Sequence, residues 1–67
     1  MRQTFEGLAG ATNYAQTESK KQNKKLSVFL TRDNGVQYVV CDSFTARSII
    51  GKFINAYGQD PFIHHRQ

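Results

Sequence analysis

The dipeptide Asn34-Gly35 stands between two runs rich in β-branched and aromatic residues, at 26–32 and 36–41. Asn and Gly both tolerate the positive φ of the tight turns that match strand twist, so this pattern is a strong short-range signal for a β-hairpin. It predicts strands over about 26–32 and 36–42. A two-residue turn would set Leu30 opposite Val39 and Val28 opposite Cys41. Leu26, Val28, Leu30, Val39 and Cys41 would then share one face, and Phe29, Thr31, Val36, Tyr38 and Val40 the other. A three-residue turn with a bulge would shift the pairing by one residue and regroup these side chains. In either register both faces of the hairpin are substantially apolar.

An apolar face must be covered. Beyond the hairpin, Ser43 is a good N-cap residue, and Ala46, Ile49, Ile50, Phe53, Ile54 and Tyr57 follow at spacings of three and four. Gly58 suits a C-terminal cap and Pro61 stops continuation. This pattern predicts an amphipathic helix over about 44–57, packed on the hairpin, with Gly51 as its weak point. The expected fold is therefore α+β. Its expected core is Leu26, Val28, Leu30, Val39, Cys41, Ala46, Ile49, Ile50, Phe53, Ile54 and Tyr57. The N-terminal segment or residues 62–65 can extend the hairpin as edge strands.

Residues 1–18 are ambiguous. Phe5, Leu8, Ala9, Thr12 and Ala15 fit a helical face, while Gly7 and Gly10 each oppose a helix by about 1 kcal/mol relative to Ala. Helix weighs equally against irregular structure or an edge strand over 12–18, and whether the segment is ordered stays open. Residues 19–25 hold Lys20, Lys21, Lys24 and Lys25 and nothing apolar before Leu26, which reads as a basic loop. The second hairpin face has three candidate covers: the N-terminal segment with Phe5, Leu8 and Tyr14, a second copy of the chain, or a ligand. The first is the expected cover, because contiguous exposed apolar patches are unusual on monomers.

Sixty-seven residues make one domain, 1–67. A core of this size rarely supplies more than about 3–5 kcal/mol, so a partner is expected. The lone Cys41 excludes an internal disulfide and the multi-cysteine zinc frameworks. No stretch is apolar enough to span a bilayer, and the first residues lack a secretory pattern, so the expected location is cytoplasmic.

Nine Lys and Arg against five Asp and Glu give a formal charge of +4, which attracts acidic or phosphate-rich partners. Lys20, Lys21, Lys24, Lys25, Arg32 and Arg47 are candidate phosphate contacts, with Phe29 and Tyr38 as stacking surfaces. The leading expectation is a non-enzymatic nucleic-acid-binding module. The alternative is a small regulator, inhibitor or accessory subunit that docks the second hairpin face on a larger protein. A homodimer is compatible with either. Adjacent His64 and His65 would point to opposite faces of a strand, so no metal or other cofactor is expected. No catalytic motif is present, and Cys41 reads as a small buried apolar residue.

Overall fold

The computed structural model describes residues 2–32, 35–42 and 44–58. Strand β1 (Arg2–Phe5) leads into helix α1 (Leu8–Gln22). Strands β2 (Leu26–Thr31) and β3 (Gln37–Asp42) follow, then a 3-10 turn (Thr45–Ser48) and strand β4 (Lys52–Tyr57). The strands form one sheet in the order β1-β3-β2-β4, with every neighbouring pair antiparallel. The α+β class and the hairpin are as expected, with strand ends within one residue of the expected bounds.

The register differs by one residue from that of a two-residue turn. Leu30 faces Tyr38, Val28 faces Val40 and Leu26 faces Asp42. Gly35 has φ 84°, the conformation that its place near the turn requires, while Asp33 and Asn34 lie outside the described residues. Cross-strand partners share a face, so Leu26, Val28, Leu30, Tyr38 and Val40 lie on one side. Ser27, Phe29, Thr31, Val39 and Cys41 lie on the other.

The helix comes from the N-terminal segment. Ala11, Ala15 and Ser19 recur every four residues along α1 and are all buried. Ala11 and Ala15 pack on Leu26, Val28 and Val40, and Phe5, Tyr14, Tyr38 and Tyr57 close the margin. These small side chains let the helix axis come close to the sheet. The Phe5 and Tyr14 rings meet at 5.2 Å. The N-terminal segment thus covers one face of the hairpin, but a regrouped one: Phe29 and Thr31 lie on the opposite side, and Leu8, expected in the cover, is exposed. The helix also takes in residues 19–22, four of the seven residues of the expected basic loop. It ends where Asn23 adopts the left-handed conformation (φ 54°) and the Lys24 N–H donates to the Ser19 carbonyl at 3.0 Å. Lys20 and Lys21 sit in its last turn, where cations favour the helix dipole.

The expected helix over 44–57 does not form. Its first part is the short 3-10 turn and its second part is β4, which pairs with the free edge of β2. The physical reason lies in the residues. Ile54, Phe53 and Tyr57 suit a strand as well as a helix, and an open strand edge beside them decides the outcome. Gly51 permits the entry. A Cβ there would sit 2.6 Å from the Leu30 carbonyl oxygen. In consequence Ile50, Phe53 and Ile54, expected in the core, are exposed. Ala46, Ile49 and Leu30 are only half-buried. The proposed cap Ser43 and the proposed strand 62–65 lie outside the described residues.

Two connections join parallel strands across an intervening one: β1 to β2 over β3, and β3 to β4 over β2. They advance the same way across the sheet but start on oppositely directed strands. The right-handed rule for crossovers then places them on opposite faces. The contacts agree, with α1 on the Leu26, Val28 and Val40 face, and Val39, Cys41, Ser27 and Thr31 buried on the other.

Candidate functional site

The residues expected to bind nucleic acid do not form one surface. The shift in register places Phe29 and Tyr38 on opposite faces, since a one-residue slip turns every side chain over. Tyr38 packs under α1 at the margin of the core. Phe29 lies on the crossover face, edge-on to Phe53 at 5.6 Å. No shared stacking platform exists for the pair.

The cations are also divided. Lys20, Lys21, Lys24 and Lys25 gather where β2 begins, whereas Arg32 follows its far end, on the order of 20 Å away along the strand. Arg47 is exposed on the 3-10 turn. Two of the lysines have partners within the chain. Lys21 lies 3.8 Å from Glu18, and Lys24 lies 3.6 Å from Asp42.

Asp42 anchors the crossover. Its Oδ1 accepts the Thr45 N–H at 2.8 Å, which fixes the chain as it leaves β3. This bond, with the Thr45 hydroxyl and the Lys24 ammonium, brings the Asp42 carboxyl down to about 2 from its ordinary 3.8. The Ser48 hydroxyl donates to the Thr45 carbonyl and the Ile49 N–H to the Ala46 carbonyl, closing the turn. A carboxyl lowered by folding adds stability above its unfolded value, and that stability is lost as pH falls toward the folded value. Urea midpoints should therefore drop as pH falls from about 4 to about 2. Asp42→Asn should flatten that part of the profile and cost about 1 kcal/mol at neutral pH.

Cys41 is fully buried, and burial pushes its thiol up, so it packs as an apolar side chain and is not poised as a nucleophile. Among the described residues no group of three or more His, Cys, Asp or Glu is placed to hold a metal ion. No helix among them is long and apolar enough to cross a membrane.

The surface that stands out holds three residues, Ile50, Phe53 and Ile54, that the sequence places in the core. The crossover and the edge strand expose Phe44 (84%), Ile50 (81%) and Phe53 (53%), with Ile54 beside them on β4. Exposed Arg47 lies on the crossover between Phe44 and Ile50. From 43 to 59 the chain holds two cations, Arg47 and Lys52, and no acid. Aromatic, aliphatic and Arg side chains in this combination are typical of the centre of protein interfaces. Gly51 ahead of a Phe-Ile-Asn-Ala-Tyr run was the available sign that this stretch enters the sheet. Comparisons with known protein families, curated proteins and solved structures find no match to this chain.

Proposed function

We propose that this chain is a small non-catalytic module that docks on a partner protein through the crossover and strand β4. The observation that carries this reading is the exposure of Phe44, Ile50 and Phe53 on one connected stretch. A domain this small can spare little apolar surface from its own core unless something else covers it. Among the described residues no strand pairs with the outer edge of β4, whose backbone groups a partner strand can use. A cytoplasmic setting and a second copy of the chain as partner both fit this proposal. The reading as a nucleic-acid-binding module draws support from Lys20, Lys21 and Lys25, which cluster at one end, and from the net charge of +4. It lacks the aromatic pair it called for.

Site-specific photo-crosslinking in the cells that make the protein separates the two. Benzoylphenylalanine at position 53 is expected to yield protein adducts, with far fewer from position 20. Ile50→Ser should cut the yield from position 53 roughly tenfold, as loss of an interface anchor does. Nuclease-sensitive adducts from position 20, with none from position 53, would overturn the docking reading.

A further inference from the structure

Where β2 ends and β4 begins, the sheet has a notch. Gly51 has no side chain, and its backbone lies against the Leu30 carbonyl. Beside this close contact lies a cleft of about 390 Å³, lined by Leu30, Thr31, Arg32, Ile50, Gly51 and Lys52. Lys52 pairs in register with Leu30, and Arg32 follows two residues after Leu30, so both cations belong to the rim of one opening.

Neither cation has an ion pair among the described residues. The acids Glu18 and Asp42 are engaged by Lys21 and Lys24. Two cations with no ion pair among the described residues, beside exposed aliphatic surface, make a site that is complementary to a carboxylate carried next to an apolar group. The volume accommodates such a pair, since ligand clefts begin near 300 Å³. A guanidinium can grip a carboxylate with two parallel hydrogen bonds, and an ammonium adds a point charge. Among the described residues the lining includes no aromatic ring, so a nucleobase would find nothing there to stack on, although its phosphate would meet the same charges.

We infer that this cleft receives an acidic side chain from an extended segment of the partner protein, with a neighbouring apolar side chain seated against Leu30 and Ile50. The inference rests on the docking reading and narrows the partner to an Asp- or Glu-bearing apolar segment. Charge from Arg32, Arg47 and Lys52 would also speed encounter with such a segment.

The test uses the full chain, labelled with ¹⁵N, and three probes: a capped hexapeptide alternating Glu and Leu, its Gln-Leu counterpart, and a twelve-residue oligo-dT. The Glu peptide is expected to shift the amides of Leu30, Thr31, Arg32, Ile50, Gly51 and Lys52, and the Gln peptide to bind at least about tenfold more weakly. The double variant Arg32→Glu with Lys52→Glu alters two exposed positions, so it should keep the wild-type far-ultraviolet spectrum and lose the response. Lys20→Glu with Lys21→Glu should retain it. Equal responses to the Glu and Gln peptides, confined to Phe53 and Ile54, would overturn the acidic-cleft inference and leave the docking reading intact. Stronger binding of oligo-dT at the cleft, or no response there to the Glu peptide at millimolar concentration, would also overturn it.

Discussion

Leu26→Ala is expected to leave a measurable fraction of the protein unfolded at 25 °C, whereas Ile50→Ala should change stability by no more than about 0.5 kcal/mol. Both remove a large aliphatic side chain, and both positions carry the apolar pattern that marks a core in the sequence. Their surroundings differ. Leu26 is fully buried at the start of β2, between Asp42 of β3 and Tyr57 of β4, in the cluster under α1. Removing buried methylene and methyl groups forfeits their transfer free energy and leaves a cavity, at a cost of about 2–5 kcal/mol for Leu→Ala. A domain of this size holds roughly 3–5 kcal/mol in total, so one such change consumes most of its stability. Ile50 is 81% exposed and loses little. Urea denaturation followed by circular dichroism reads both effects. Equal losses for the two variants would place Ile50 in the core and remove the docking surface from the account.

The contrast between these two residues also shows how far the sequence could be read. The hairpin was legible because Asn34-Gly35 and the flanking β-branched runs carry local conformational preferences. Its register was not, because turn length decides pairing, and a single-residue change exchanges the faces of Phe29 and Tyr38. That exchange is why the expected stacking pair is split. The helix α1 was hard to see because its buried stripe is Ala11, Ala15 and Ser19, whose small side chains give almost no hydropathic period. Gly7 and Gly10 also counted against it. Yet Gly7 occupies the cap position outside the helix, and Gly10 lies where a Cβ would come within 3.4 Å of the Phe5 ring.

Residues 44–57 misled for the opposite reason. Their apolar spacing is clear, but a turn followed by a strand can produce the same spacing as a helix. What separates the two is the unpaired edge of β2, a feature of tertiary structure that no local window contains. The candidate site inherits this ambiguity. As a helix, the stretch would bury Ile50, Phe53 and Ile54. As a crossover and an edge strand, it presents them.

Gly51→Ala distinguishes these two states by sign. In a helix interior, replacing Gly by Ala stabilises by about 1 kcal/mol. In the sheet, the new Cβ would stand 2.6 Å from the Leu30 carbonyl oxygen and 3.0 Å from Thr31 Cγ2. The first neighbour is backbone and cannot step aside without disturbing the β2–β4 pairing. Crowding of this kind typically costs about 1–3 kcal/mol, which outweighs the smaller gain, about 0.4–1 kcal/mol, from a stiffer unfolded chain. The denaturation midpoint of Gly51→Ala is therefore expected to fall below that of the parent protein. A rise would mean that 44–57 is helical after all and that its apolar side chains face inward.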